Sequence, residues 1–241
     1  MFSFAQKNVR RVCSGHLGRE VWFSNKAGAR LNGLYFRSAD KTRRTILVHH
    51  GMSDNMNVHN PYIAYLLNDP STALLAYDYS GFGKSQGTAS IGGLPADGLA
   101  AYDYLVSELK VAPESIVEYG ASLGTGPAIA LASQRPGAGL IIVSPYTSIR
   151  AAARDALPFL RYYPDWMICL DDMDSLNEIK GVKCPLLVVH GVQDTTIGVH
   201  HGDEIYAAAA TPKDYIRDRH GVHSQQSSWV LDRIVKFVSA R

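Results

Sequence analysis

The sequence is poor in cysteine and has no long hydrophobic run. Its 241 residues include only Cys13, Cys169 and Cys184, an odd number at wide spacings. Such spacings match neither a disulfide framework nor a metal-binding pattern. No stretch approaches the ~20 consecutive apolar residues that a membrane span needs. Basic residues between positions 7 and 11 interrupt any apolar run of a secretory signal. We therefore expect a cytoplasmic protein without stable membrane insertion.

A strong charge of one sign is also missing. The chain has 24 Lys and Arg residues against 22 Asp and Glu residues, for a net charge of +2. Because nucleic-acid binding usually needs a concentrated basic face, we expect no nucleic-acid partner. Hydrophobic residues make up 46% of the chain and charged residues 19%, which is a globular composition. Repeats and Pro/Ser-rich linkers are also lacking. We therefore predict an N-terminal arm over 1–19 and a single domain over 20–241.

Hydrophobic patterning predicts an α/β fold. Short apolar runs alternate with longer helical patterns, which is typical of a mostly parallel sheet with helices on both faces. We expect about eight strands, the first two forming an antiparallel pair. Ligands of such sheets bind outside the carboxyl ends of the strands. The predicted strands are 20–24, 30–36, 45–49, 72–77, 115–120, 140–143, 186–189 and 214–218, and the predicted helices are 55–67, 95–110, 123–134, 201–209 and 225–239.

A candidate nucleophile lies between a strand and a helix. Residues 116–124 contain the pattern G-x-S-x-G directly after a predicted strand. In that context the pattern is typical of a nucleophile elbow, a sharp turn that exposes the serine hydroxyl. Gly120 and Gly124 lack a Cβ, so the strand and the helix can approach closely. We predict that Ser122 is the nucleophile. The alternative is that Ser122 is an ordinary helix N-cap.

An acid and a base follow in the chain order that this arrangement requires. Asp194 comes after the strand 186–189 and is predicted to orient the base. The alternative is that Asp194 caps the helix that begins near His200. Two histidines in the last loop are candidates for the base. We favour His223, which directly precedes the polar start of the last helix, over His220, which ends the strand.

The loop after strand 45–49 is predicted to complete an oxyanion hole. Acyl transfer places negative charge on a carbonyl oxygen, which two aimed backbone N–H groups stabilise. The predicted donors are the N–H groups of Leu123, which follows the nucleophile, and Met52. His49 and His50 suggest a metal site, but neighbouring residues of a strand point to opposite faces. We therefore predict structural roles for both histidines.

Together these motifs resemble those of the α/β-hydrolase superfamily. The narrower resemblance is to its compact branch, which includes bud-emergence-type hydrolases and eukaryotic protein depalmitoylases. It covers roughly residues 20–240 and implies hydrolysis of an ester or thioester by a Ser-His-Asp triad, without a cofactor. The matching segments are Asp78–Ser85 (D-Y-x-G-x-G-x-S), Gly120–Gly124, Ser144–Ser148, Asp174–Ser175 and Pro185–Asp194 (P-x-L-x-x-H-G-x-x-D).

The sequence departs from this branch at two places. The family approaches its base with a G-x-G-H-like pattern, whereas this chain has His220-Gly221-Val222-His223. The depalmitoylases also carry a cysteine-rich, lipidated N-terminus. Because this chain has only Cys13 there, membrane targeting is not carried over.

Substrate choice is predicted to come from a short cap insert over 146–180. Its large apolar side chains include Trp166, Met167 and Leu160, which we expect to bind an acyl chain. Each buried CH₂ group contributes about 0.8 kcal/mol. The alternative is that these side chains pack the cap onto the sheet. The three aspartates between 171 and 174 lack a Ca²⁺-loop pattern, so we predict turn and capping roles for them and no metal.

Three functions are compatible with these residues. We predict a serine hydrolase of carboxylic esters or thioesters that acts on a small molecule or an acylated protein. A serine peptidase or amidase would use the same triad, but the sequence offers no carboxylate pair of the kind that binds a peptide N-terminus. A non-catalytic protein on this scaffold usually lacks a triad member. The segment Gly81–Ser85 lacks the first part of a phosphate-binding loop. We predict that it is a turn beneath the oxyanion loop, with Asp78 bonding to backbone there.

Overall fold

One eight-stranded sheet organises the chain. A computed structural model describes residues 18–38, 43–52, 56, 65–67, 69–168, 173–223 and 225–240. Within them the strand order is β1-β2-β4-β3-β5-β6-β7-β8. β2 pairs antiparallel with β1 and β4, and all other pairs are parallel, which confirms the predicted fold class. The strands are β1 Gly18–Ser24, β2 Arg30–Phe36, β3 Arg44–His49, β4 Thr72–Tyr77, β5 Ile116–Ala121, β6 Gly139–Val143, β7 Leu186–Gly191 and β8 Lys213–Asp218.

Helices cover both faces of this sheet. The last helix packs on one face, and the first, second and fifth pack on the other. In the described part of the chain, no helix combines the length and the hydropathy needed to cross a membrane. The helices are α1 Leu94–Ser107, α2 Thr125–Gln134, α3 Ile149–Ala156, α4 Ser175–Glu178, α5 Val199–Ala208 and α6 Ser228–Ser239.

The apolar runs of the central strands follow from burial on both sides. In β6, Ile141 and Val143 belong to the core beneath α6, whereas Leu140 and Ile142 belong to the core beneath α2 and α5. Successive residues of a strand point to opposite faces, so a doubly covered strand needs an apolar residue at every position. Full burial of such a side chain stabilises the fold by about 1.5–3 kcal/mol.

Local chemistry sets several helix ends. α2 ends at Gln134 because Arg135 is extended ahead of Pro136. α3 begins after Ser148, whose hydroxyl accepts a hydrogen bond from the Ala151 N–H at 3.1 Å. This helix lies in the predicted cap insert and was not predicted, because its apolar side consists mostly of small alanines.

Other sequence predictions differ from the structure at their ends. β1 begins at Gly18, so the described end of the predicted arm 1–19 belongs to the sheet. α6 begins at Ser228 and not at 225, because Gln225 pairs with Val222 in an isolated bridge. Most of the predicted helix 55–67 lies outside the described residues. Residues 65 and 66, which are described, are helical.

Candidate active site

Ser122 lies on a strained turn at the carboxyl end of β5. Its φ is +51°, in the left-handed region that residues with a Cβ rarely adopt. A Cβ on Gly120 would lie 2.5 Å from the Gly124 oxygen, and a Cβ on Gly124 would lie 2.1 Å from the His49 oxygen. Both positions therefore require glycine. Gly124 is the N-cap residue of α2, and Ser122 makes no capping bond, so the N-cap interpretation of Ser122 is wrong.

A continuous hydrogen-bonded chain joins the three predicted triad residues. The His223 Nε2 lies 2.9 Å from the Ser122 Oγ, and the His223 Nδ1 lies 2.9 Å from the Asp194 Oδ2. Because Nδ1 faces a carboxylate, it carries the proton of the neutral ring. Nε2 is then free to accept the proton of the serine hydroxyl. The structure thus brings the three predicted residues together in an arrangement that acyl transfer could use.

Asp194 is buried and held by several donors. Its Oδ1 accepts hydrogen bonds from the N–H groups of Thr196 and Ile197, each at 2.9 Å. Burial acts to raise the pKa of Asp194, but hydrogen bonds from His190, His223 and the Ile197 backbone hold that pKa well below its ordinary range. The carboxylate therefore stays ionised wherever the base can be neutral.

The role of His190 in the acid loop was not predicted. The His190 Nε2 lies 2.9 Å from the Ile197 oxygen and 3.5 Å from the Asp194 Oδ2. His190 therefore fixes both the loop and its carboxylate, a role that its position in the H-G-x-x-D pattern suggests only in retrospect. α5 has Gly198 as its N-cap residue and no side-chain capping bond, so Asp194 does not cap that helix.

Backbone contacts fix the acid loop against the base loop. The N–H of Val192 donates to the Asp218 oxygen at 2.8 Å, and the N–H of Gln193 donates to the Gly221 oxygen at 3.1 Å. A Cβ on Gly191 would lie 2.3 Å from the Gly221 oxygen. Glycine at 191 is therefore what allows the two loops to touch, and this contact sets the distance between the acid and the base.

Asp218 closes the loop that carries the base. Its buried carboxylate accepts hydrogen bonds from the N–H of His220 at 3.2 Å and from the N–H of Ser227 at 2.8 Å. These bonds span the loop and leave the exposed His220 on its outer turn, with His223 directed toward Ser122. Sequence reasoning missed Asp218. The one available signal was a carboxylate at the last position of an edge strand.

The peptide group before Leu123 is oriented by the helix that follows it. The Ser122 oxygen accepts hydrogen bonds from the Oγ1 of Thr125, at 2.7 Å, and from the Thr125 N–H. In a trans peptide the N–H points opposite to the carbonyl, so the Leu123 N–H points away from the helix. The Tyr146 hydroxyl donates to the Leu123 oxygen at 3.1 Å and fixes the next peptide group.

Similar contacts orient the loop after β3. The His50 Nδ1 donates to the Gly51 oxygen at 2.8 Å, so the N–H of Met52 in that peptide group points away from the imidazole. The Tyr79 hydroxyl donates to the His50 oxygen at 3.2 Å. Both candidate N–H groups thus belong to peptide groups held in place before any substrate binds. Their roles as oxyanion donors stay predictions.

His49 serves the core beneath this loop. Its Nε2 lies 2.7 Å from the Glu118 Oε2, and its Nδ1 lies 2.8 Å from the Tyr77 hydroxyl. Burial raises the pKa of Glu118, and the hydrogen bond from His49 opposes that change. His49 and His50 therefore bind different partners, which agrees with the structural roles predicted for them.

The predicted turn beneath the oxyanion loop has the expected contact. The Asp78 Oδ1 accepts a hydrogen bond from the Met56 N–H at 2.7 Å. A Cβ on Gly83 would overlap the Asp78 carboxylate, since the distance to Oδ2 would be 1.8 Å. The turn Gly81–Ser85 thus lies against the Asp78 carboxylate, which bonds to backbone as predicted.

Much of the apolar surface of the cap insert faces solvent. Trp166 is 80% exposed and Met167 is 48% exposed, whereas Leu160 is partly buried. Trp166 therefore does not pack the cap onto the sheet, contrary to the alternative interpretation, whereas about half of the Met167 surface is covered. Asp174 caps α4 by accepting the Asn177 N–H at 3.0 Å, as predicted. Positions 171 and 172 lie outside the described residues.

Comparisons with known proteins identify the superfamily of this chain. Residues 40–168 match the family described as serine aminopeptidase, S33. A human relative, α/β hydrolase domain-containing protein 17C, is 32% identical over 223 residues, which cover 91% of this chain and 66% of that protein. The chain belongs to the α/β-hydrolase superfamily. The resemblance to its depalmitoylase-like branch is confirmed, and family membership supports hydrolase activity.

This α/β-hydrolase is also similar to bacterial and archaeal proteins. An uncharacterized protein of Mycobacterium tuberculosis is 34% identical over 200 residues, which cover 83% of this chain and 70% of that protein. An α/β-hydrolase from Vibrio vulnificus superimposes with a TM-score of 0.81 at 19% identity, covering 99% of this chain and 86% of that one. An esterase from Pyrococcus furiosus gives a TM-score of 0.77 at 19% identity, with 97% and 93% covered. These two structural likenesses establish the fold alone.

Proposed function

We propose that this α/β-hydrolase is a serine hydrolase that cleaves carboxylic esters or thioesters through an acyl-enzyme intermediate. The observation that carries the proposal is the hydrogen-bonded chain from the Ser122 Oγ through His223 to the ionised Asp194. Its nucleophile lies on a strained turn that fixes the hydroxyl at the carboxyl edge of the sheet. A fluorophosphonate probe, which reacts with activated serines, tests the proposal.

The proposed reaction uses each residue in a defined step. The His223 Nε2 accepts the hydroxyl proton while the Ser122 Oγ attacks the carbonyl carbon of the substrate. The N–H groups of Leu123 and Met52 stabilise the oxyanion. His223 then gives the proton to the leaving alcohol or thiol, and the acyl group stays on Ser122. Water attacks that ester with the same base, which releases the acid and restores the enzyme.

Replacing Asp194 with Asn should lower kcat by about 10⁴-fold, because the neutral amide favours the wrong tautomer of the base and does not stabilise its cation. The rate should be measured with p-nitrophenyl acetate at neutral pH. Asp174→Asn is the matched control, since Asn also caps helices and this variant should keep wild-type turnover. Near-normal activity of Asp194→Asn would assign the acid to another carboxylate.

The exposed apolar side chains of the cap insert favour a substrate with an acyl chain. A contiguous apolar surface in water usually marks an interaction site. The proposed substrate is an acyl ester of a small molecule or an acylated protein, with the chain contacting Trp166, Met167 and Leu160.

Trp166→Ala should therefore reduce kcat/KM for long-chain p-nitrophenyl esters more than for the acetate. A contact with several CH₂ groups contributes in proportion to the apolar area it buries. Trp22→Ala, which removes an exposed tryptophan from the edge strand β1, is the control and should leave the chain-length profile unchanged. An equal loss at every chain length would remove Trp166 from the substrate site.

A peptidase is the second candidate, because the matched family is described as a serine aminopeptidase. The same triad would serve, with His223 protonating a leaving amine in place of an alcohol. Hydrolysis of aminoacyl p-nitroanilides should be compared with hydrolysis of p-nitrophenyl esters by the same preparation. The ester proposal predicts a higher kcat/KM on the esters after correction for their uncatalysed rates, and the opposite ranking would favour the peptidase.

We also propose a cytoplasmic location. Cys184 is a free, partly buried thiol, and burial raises its pKa to about 11, which makes it unreactive at neutral pH. A free thiol of this kind fits a reducing compartment.

A further inference from the structure

Three side chains with metal-binding atoms meet where α3 of the cap insert contacts the first turn of α5. The Asp155 Oδ2 lies 3.0 Å from the His200 Nε2 and 3.3 Å from the His201 Nε2. The three ligand atoms all lie within 4.8 Å of one another. Two ligands of one tetrahedral ion with bonds of about 2.0–2.2 Å are separated by roughly 3.4 Å, so this spacing fits a single ion.

The surroundings leave one atom of each side chain directed into this cluster. The Asp155 Oδ1 accepts a hydrogen bond from the Arg161 Nη2 at 2.8 Å, which orients Oδ2 toward the histidines. The ring of His201 is 2% exposed, and its Nε2 lies 3.3 Å from the Asp155 Oδ2 without forming a well-aligned hydrogen bond among the described residues. A buried nitrogen with so weak a contact is costly, and a metal ion between the two atoms would satisfy both.

We propose that Asp155, His200 and His201 bind one divalent transition-metal ion of the zinc type. Two imidazoles with one carboxylate favour such an ion over Mg²⁺ or Ca²⁺, which prefer oxygen ligands. His200 is exposed, so water reaches the ion and supplies the remaining ligand. The ion fastens the cap insert to α5, which begins shortly after the loop of Asp194. The triad does not use it.

Thr147 determines which ring nitrogen of His201 carries the proton. Its N–H lies 3.2 Å from the His201 Nδ1, and its Oγ1 lies 2.9 Å from the same atom. In the metal-free protein the N–H donates to Nδ1, so the neutral ring carries its proton on Nε2. When a metal ion binds, the proton leaves Nε2, whose lone pair binds the ion, and Nδ1 takes up a proton through water. Nδ1 then donates to the Thr147 Oγ1, and the Thr147 N–H gives up its bond to Nδ1, since both atoms are donors in that state. Such partners of ligating histidines affect metal affinity by about 10–100-fold.

Calorimetric titration of the EDTA-treated full chain with Zn²⁺ tests the proposal, and the visible spectrum of the Co²⁺ form reports nitrogen ligation. We expect one saturable site. His200→Asn should weaken affinity by at least about tenfold without affecting folding, because the ring is exposed, and Thr147→Val should weaken it by about 10–100-fold. His220→Asn, which removes an exposed histidine elsewhere, should bind like the wild type.

His223→Ala separates this site from the triad, since zinc bound by His223 and Asp194 would be lost in that variant. We expect it to keep the stoichiometry and affinity of the wild type. Absence of saturable Zn²⁺ binding by the wild-type chain would overturn the proposal. So would wild-type affinity in both His200→Asn and Asp155→Asn.

Discussion

Replacing Ser122 with Ala should reduce hydrolysis of p-nitrophenyl esters by about 10⁶-fold, the scale on which loss of a nucleophile acts. The Oγ is the only atom removed, and it is the atom that His223 faces at 2.9 Å. Alanine keeps the Cβ, so the left-handed turn at φ +51° is no more strained than in the wild type. The thermal unfolding midpoint should therefore stay close to that of the wild type, and initial rates at several enzyme concentrations would measure the loss.

Ser133→Ala is the matched control for this experiment. Ser133 lies on the helix that follows the nucleophile, and its hydroxyl bonds only locally, to the Ala130 oxygen at 2.8 Å. This variant should keep wild-type turnover. If Ser122→Ala kept more than a small fraction of wild-type turnover in a folded state, the nucleophile would have to be another residue.

His223→Ala should lose activity by several powers of ten, whereas His220→Ala should lose tenfold or less. Among the residues that the structure describes, only His223 reaches the Ser122 Oγ and the Asp194 carboxylate together. The described contact of His220 is a backbone N–H bond to Asp218, which an alanine retains. The base must be neutral to accept the serine proton, so wild-type activity should rise from acidic pH to a plateau near neutrality.

Protonation of Asp194 should not cause the loss of activity at acidic pH. Hydrogen bonds hold the pKa of Asp194 well below its ordinary range, so this carboxylate stays ionised over the whole pH range of the assay. The opposite ranking of the two histidine variants, both shown to be folded by circular dichroism, would move the base to His220.

Ser122 and Asp194 could be placed at one edge of the sheet from the sequence because each follows a strongly patterned strand. β5 and β7 are buried at every position and mostly apolar, and each has a glycine at or next to its end, where the chain leaves the sheet. Ser122 directly follows β5, and Asp194 lies in the loop that follows β7. Parallel strands bring their carboxyl ends to one edge, so residues far apart in the chain meet there.

The contacts that hold the site in place could not be predicted in the same way. Asp218 closes the base loop through bonds to backbone N–H groups, which any sequence supplies, so no pattern marks its partner positions. Tyr146 acts on the Leu123 carbonyl through a tertiary contact between separate loops. Local periodicity carries no information about such contacts.

The cluster of Asp155, His200 and His201 shows the same limit. Its aspartate lies on a short helix of the insert and its histidines lie on α5, and no spacing rule for metal ligands joins positions so far apart. The burial of His201 could not be predicted either, because adjacent histidines at a helix start suggest solvent-exposed side chains.

Labelling of the folded chain with a fluorophosphonate, followed by mass spectrometry of its peptides, tests the central claim most directly. The probe reacts only with a serine whose hydroxyl is activated by a nearby base. We expect a single adduct, on Ser122, which forms quickly in the wild type and far more slowly in His223→Ala. A folded wild-type chain without an adduct, or with its adduct on another serine, would contradict the proposed function.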